Sequence, residues 1–131
     1  MIKIKKFEKS DEIETARKIC FKHYLYVPGW QFQLWLSGKY PNKIKIKQIF
    51  ILYKDDFPIG CSIVLDEIFW SVNVGFFIKP LFRRNGFGKK LLKHVVKNNK
   101  NYSLQYDYGM KDSSHFFEKC TKKLDNITRA F

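Results

Sequence analysis

The sequence predicts a mixed α/β layer fold in a single domain, residues 1–131. Three observations lead there. Short runs suited to strands interleave with runs of helical spacing, in the order β-α-α-β-β-β-α-β-α-β. The fourth strand-like run passes through Pro80 and a basic, glycine-spaced turn into an amphipathic helix. No internal repeat, linker or second composition interrupts the chain.

Taken in order, residues 2–7 alternate apolar and lysine, as a strand with one wet face does. Ser10 and Asp11 offer a helix cap, with Glu14 completing a box-like pattern. Ile13, Ala16, Ile19, Cys20 and then His23 or Tyr24 recur at helical spacing until Pro28-Gly29 stops them. Residues 30–36 read as a second short helix and 39–42 as a loop. Residues 43–47 alternate, and 49–53 form an apolar strand. Residues 54–58 are expected to turn, and 59–65 to form the next strand, with Gly60 near its start. Residues 68–78 read as a long strand containing Gly75, a residue that often marks a bulge or a close backbone approach. Beyond the turn, Phe87, Leu91, Leu92, Val95 and Val96 share one helical face, and Lys89, Lys90, Lys93 and Lys97 the other. Residues 102–108 suit a strand, 112 or 113 to 120 a short helix, and 124–131 a final strand.

Composition narrows the function classes. Hydrophobic residues make up 45% and aromatics 18%, which argues against disorder. At this length roughly two-thirds of the unfolded surface is buried, enough for a core. No run is long and apolar enough to span a bilayer, and the alternating start lacks a signal-peptide core, so a cytoplasmic protein without a membrane partner is expected. Cys20, Cys61 and Cys120 are far apart and lack metal-ligand spacing, so free thiols and no metal are expected. The formal net charge of +13 favours anionic partners such as nucleic acid, acidic protein surfaces or a polyphosphate. A lysine-rich solvated surface would give the same number.

The most informative segment is Arg83-Arg84-Asn85-Gly86-Phe87-Gly88-Lys89. A helix N-terminus presents unpaired N–H groups and the positive end of its dipole, and both favour an anion. Gly86 and Gly88 let backbone approach phosphate oxygens without a Cβ in the way. The spacing lacks the first glycine of the dinucleotide fingerprint.

This order of elements, with the turn after the fourth strand, resembles the GCN5-related N-acetyltransferase (GNAT) superfamily. The family's pyrophosphate motif, Arg/Gln-x-x-Gly-x-Gly/Ala, is matched by Arg83 to Gly88, and Pro80 and Leu91-Leu92 match its flanks. The resemblance runs from about Ile2 to Cys120. It implies a central, mostly antiparallel sheet with helices on both faces and a V-shaped splay between strands 4 and 5. It implies acetyl-coenzyme A as donor and an amine as acceptor. Arg83, Arg84, Asn85, Gly86, Phe87, Gly88 and Lys89 would hold the pyrophosphate. A backbone N–H of Phe77 or Ile78, with Phe76 near, would polarise the thioester beside a bulged fourth strand. Ser113 or Ser114 would reach the pantetheine arm.

The sequence departs from the family at the proton-transfer positions. Where many members carry a glutamate on the fourth strand, Ser71, Val72 and Asn73 stand here, and the usual tyrosine position holds Phe117. Tyr108 as acid, and Asp107 or His115 as base, are the substitutes at hand; solvent is the alternative. Tyr24, Tyr26 and Trp30 lie in an aromatic segment that the resemblance places along the acceptor cleft. With the charge, this favours a nucleic acid or another anionic macromolecule as carrier of the amine, or a small amine. A binding module without chemistry and a basic nucleic-acid-binding protein are the competing classes. Both monomer and homodimer fit. Only one strand follows the last expected helix, where many members have two.

Overall fold

The computed structural model describes residues 1–23, 25, 45–66, 71–100, 103–106 and 127–129. Six strands form one sheet in sequence order: β1 (Ile2–Phe7), β2 (Lys45–Lys54), β3 (Phe57–Asp66), β4 (Ser71–Ile78), β5 (Ser103–Tyr106) and β6 (Ile127–Arg129). The first four run antiparallel to one another in turn; β4–β5 and β5–β6 are parallel. Parallel neighbours require crossover connections. Helix α2 (Phe87–Lys97) supplies the one from β4 to β5.

The two described helices lie on opposite faces of the sheet, because each strand's alternation feeds two cores. Phe50, Leu52, Ile59 and Val64 pack with Leu91, Leu92, Val95 and Val96 of α2. Ile49, Ile51, Cys61, Ile63 and Leu65 pack with Ile13, Ala16 and Cys20 of α1 (Ser10–Lys22). These are the helical faces the sequence spacing predicted. Apolar area buried at about 25 cal/mol per Å² makes such faces, rather than helix propensity, the main source of cohesion.

Several boundaries differ from expectation. Residues 45–54 are one strand, with a register shift between Ile46 and Gln48. Phe57 and Pro58 belong to β3, so the β2–β3 turn is only Asp55-Asp56. Both have positive φ, 49° and 66°, the conformation of a two-residue hairpin turn whose twist matches its strands. A second register shift, between Leu52 and Tyr53, leaves Ile59 as the extra residue and lets Pro58 sit where the ladder is irregular. The cap of α1 also differs: the helix begins at Ser10, and Glu12, not Glu14, reaches back to accept from the Lys9 N–H at 3.0 Å. That bond holds the Glu12 carboxyl below its ordinary value.

The fourth strand carries no bulge against β3. Its register runs unbroken from Asp66↔Val72 to Gly60↔Ile78, with Gly75 opposite Ile63. Pairing of β4 with β5 is described from Ser71↔Ser103 to Val74↔Tyr106, while β4 itself continues to Ile78. The residues that would form the far arm of a splay after Tyr106, and the helices expected at 30–36 and 112–120, lie outside the described residues.

One polar contact pins α2 to the sheet. Asn99, just past the helix end and buried, donates through Nδ2 to Gln48 Oε1 on β2 at 2.9 Å and to the Val95 carbonyl at 2.8 Å.

Candidate functional site

The end of β4 and the turn after it form a continuous structure. Strand pairing sets which way each backbone group points. The Lys79 N–H donates to the Ile59 carbonyl at 2.8 Å, so residues 79 and 77 direct their polar groups at β3, and 78 and 76 direct theirs away from it. Ile78 and Gly60 form the close, non-hydrogen-bonded pair of that ladder. A Cβ on Gly60 would lie 2.5 Å from Ile78 Cδ1 and 2.8 Å from the Phe77 carbonyl oxygen. Glycine at 60 is therefore what lets the end of β4 close on β3. Its place near a strand start was visible in the sequence; its contact with Ile78 was not.

This geometry corrects one expectation. The Phe77 N–H faces Cys61 of β3 and is not a free donor towards the β5 side. The Ile78 N–H, and one pair earlier that of Phe76, point to that side. The Phe77 side chain instead packs with the α1 core and lies under the Arg83 guanidinium, 5.5 Å from ring centre to Cζ.

After Ile78 the chain makes a 3-10 turn, Pro80–Phe82, whose closing bonds run from Phe82 N–H to the Lys79 carbonyl and from Arg83 N–H to the Pro80 carbonyl. Arg83 then folds back, and its Nε donates to the Ile78 carbonyl at 2.8 Å. Arg84 is left-handed at φ 66°, and Gly86 at φ 79°. An arginine there costs roughly 1 kcal/mol or more. Two left-handed residues in three positions curl the backbone as anion-binding nests do. Asn85 steadies the curl by donating from Nδ2 to the Phe82 and Arg83 carbonyls at 3.4 and 3.2 Å.

Helix α2 then starts with Gly86 as its N-cap and no side-chain cap. The first intrahelical bond of this turn is Lys90 N–H to the Gly86 carbonyl at 3.1 Å, which leaves the N–H groups of Phe87, Gly88 and Lys89 to an outside acceptor. Nothing lies within 4 Å of where a Gly86 Cβ would be. Arg84, Asn85 and Lys89 are exposed, Phe87 and Gly88 half-buried. The Lys54 ammonium lies 5.7 Å and 5.8 Å from the rings of Phe82 and Phe87. Lys79 lies 4.5 Å from Phe57. No sequence pattern pointed to these three contacts. From Glu67 to Asp107 the sequence places eight Lys or Arg and no acid between the two. Uncapped N–H groups, a curled backbone and uncancelled positive charge are what a pyrophosphate group requires, and the described residues fit it.

The predicted proton-transfer residues Tyr108, Asp107 and His115, together with Ser113 and the acceptor-side Tyr24, Tyr26 and Trp30, lie outside the described residues. Cys61 can be assigned: it is buried, its Sγ donates to the Leu25 carbonyl at 2.9 Å, and burial pushes its thiol well above the ordinary value. It is not an acyl-accepting nucleophile. Cys20 is likewise a buried free thiol.

The profile of the acetyltransferase (GNAT) domain matches residues 45–120, more than half of the chain. The chain belongs to the GNAT family. No curated protein sequence matches it. Solved structures of similar fold include three acetyltransferases of distinct activities. The ribosomal-protein-S18-alanine N-acetyltransferase of Escherichia coli is 14% identical, with a TM-score of 0.59 over 91% of this GNAT chain and 76% of that one. An IAA acetyltransferase of Bacillus cereus is 16% identical, with a TM-score of 0.64 over 92% and 75%. AAC(6′)-Iy, solved with the bisubstrate analogue CoA-S-monomethyl-acetylneamine, is 17% identical, with a TM-score of 0.60 over 98% and 95%. At these identities the likeness shows that this GNAT chain shares their fold.

Proposed function

We propose that this protein is an acetyl-coenzyme A-dependent N-acetyltransferase that transfers the acetyl group directly to an amine. The observation that carries the reading is the uncapped start of α2, curled at Arg84 and Gly86 and tied by Arg83 to the Ile78 carbonyl at the end of β4. Arg83 to Lys89 hold the pyrophosphate. Arg83 also fixes the end of β4, so the anion site and the Ile78 N–H keep a constant separation. The donor, when bound, supplies an acetyl thioester. The Ile78 N–H is aimed where negative charge grows on the carbonyl oxygen, and such a donor is worth about 3 kcal/mol. The amine nitrogen bonds to the acetyl carbon as the carbon–sulfur bond breaks. The proton lost by nitrogen goes to Asp107, His115 or water, and the leaving sulfur takes one from Tyr108 or water. Ser113 steadies the pantetheine arm. Alignment supplies the rest of the acceleration, so no protein nucleophile is needed.

For the acceptor, the charge of +13 and the aromatic Tyr24, Tyr26 and Trp30 support an amine carried by a nucleic acid or another anionic macromolecule. A cationic small amine would need an acidic cleft, and the chain has only 12 acids. The absence of a strand-4 glutamate at Ser71, Val72 and Asn73 favours a second reading, a coenzyme A-binding module without chemistry. The buried free thiols support a reducing compartment such as the cytoplasm.

The test is calorimetric titration with acetyl-coenzyme A, followed by thiol release with amine pools. Micromolar binding, abolished by Gly86→Trp, is expected. Absence of binding would overturn the cofactor assignment. Binding without any thiol release would select the second reading. Tyr108→Phe should lower turnover with unchanged affinity for the donor; equal turnover removes Tyr108 from the mechanism.

A further inference from the structure

A second basic feature lies away from the turn. An open groove of about 340 Å³ runs between β1 and α2, lined by Ile2, Ile4, Lys90, Lys93, His94 and Lys97. Its floor is the half-buried Ile2 and Ile4, which pack on the α2 core. Its wall is the exposed lysine row of α2. At 1.5 Å rise per residue, Lys90 to Lys97 span roughly 10 Å. α2 contains no acid, and none of the ion pairs among the described residues involves these lysines. The nearest acid assigned to a β1 lysine is Glu8, 3.2 Å from Lys6.

The chemistry selects a partner. Lysines are compact point charges suited to phosphate. A row of about 10 Å matches about three phosphates along one strand. A protein partner would be expected to meet Tyr, Trp or Arg anchors, which the groove lacks. A membrane partner would need large apolar side chains projecting among the lysines, whereas Ile2 and Ile4 lie on the floor. The remaining polar group is His94. Its ring packs edge-on to Phe50 at 5.7 Å. Burial first, then Lys97 and Lys6, keep it below its ordinary pKa and so neutral. A neutral imidazole nitrogen can accept from a 2′-hydroxyl, a group that RNA has and DNA lacks.

We infer that the β1–α2 groove is an RNA-backbone binding site, separate from the acetyl-donor site and lined by Lys90, Lys93, Lys97 and His94. Contact is with phosphate and ribose, so binding is insensitive to base sequence. The inference does not depend on acetyl transfer, since a chain that bound RNA here without chemistry would satisfy it equally.

The test is fluorescence anisotropy of the full chain with a labelled, unstructured RNA over a salt series. Binding should weaken with salt, with a log–log slope of about −2 for three phosphates on a single strand. The double variant Lys93→Glu/Lys97→Glu should bind on the order of tenfold or more weakly, with a shallower slope. Its acetyl-coenzyme A affinity should be unchanged and its melting temperature should fall by no more than a few degrees, the cost of reversing a charge at a helix C-terminus; Lys93→Arg/Lys97→Arg should bind as the native chain does. DNA of the same sequence should bind more weakly, and His94→Ala should narrow that gap. Absence of RNA binding near physiological salt overturns the proposal, as does unaltered binding by the Glu variant. Equal affinity for DNA, for poly-glutamate or for anionic vesicles overturns the assignment to RNA.

Discussion

Arg83 holds the carbonyl oxygen of Ile78 at 2.8 Å through Nε and lies over the ring of Phe77. One side chain thus ties the turn to the last two residues of the strand before it. Arg83→Ala should lower kcat/KM by about tenfold or more, as loss of a charge-assisted bond does. Arg83→Lys should restore little, because an ammonium reproduces neither the planar stack nor the Nε direction. Steady-state kinetics of both variants, with melting temperatures to exclude unfolding, checks this.

Gly60 faces Ile78 from the neighbouring strand. Gly60→Ala brings a methyl to 2.5 Å from Ile78 Cδ1 and 2.8 Å from the Phe77 oxygen. The backbone contact cannot be relieved by a rotamer change, so a loss of about 1–3 kcal/mol is expected. Adding Ile78→Val, which removes Cδ1, should recover only part of it. Urea unfolding of the two single variants and the double variant measures the coupling.

Gly86 offers the converse case. Its surroundings are open, and only its φ of 79° opposes a side chain. Gly86→Ala should cost about 1–2 kcal/mol of stability. The larger effect should be on acetyl-coenzyme A affinity, since the added Cβ lies beside the uncapped N–H groups. Calorimetry set against thermal melting separates the two.

Gln48 and Asn99 form a buried polar pair across the α2 face. Asn99→Leu removes the donor from both Gln48 Oε1 and the Val95 carbonyl and should cost about 1–3 kcal/mol, whereas Gln48→Leu should cost less, because Asn99 keeps its bond to Val95. The double variant Gln48→Leu/Asn99→Leu should lose less than the sum, because the Gln48 amide is no longer buried opposite a leucine. Denaturation midpoints across this cycle give the answer.

Stability should depend on pH through His94 and His23. Burial is the largest cause in both, and nearby lysines add to it, so both titrate lower in the fold than in the unfolded chain. Their neutral forms favour the fold. That contribution is fully present above the unfolded value and is lost as pH falls through the folded ones. Denaturant midpoints between about pH 8 and about pH 5 should therefore fall on acidification. His94→Gln should flatten the profile; an unchanged slope would exclude His94 as a cause.

The sequence was most legible where physics is local. Apolar spacing marked Ile13, Ala16 and Cys20 on one helix and Leu91, Leu92, Val95 and Val96 on the other, and all are buried. Two glycines and adjacent arginines marked the turn. What stayed hidden depends on pairing across the chain. Whether Phe77 or Ile78 presents its N–H is a matter of ladder phase, set by residues of β3 about 16 positions earlier. Pro58 reads locally as a turn residue, yet an irregular ladder admits it to β3. No local pattern singles out Asn99, because its partner Gln48 is distant in sequence.

Helix α2 is anchored at both ends: by the Gly86 turn to β4, and by Asn99 to β2. It therefore works as a strut rather than a free rod. An anion that settles at its head loads a member already braced at the foot against β2, one strand in from the sheet edge. Occupancy of the turn should then register far from the turn itself, as slower amide exchange along β2.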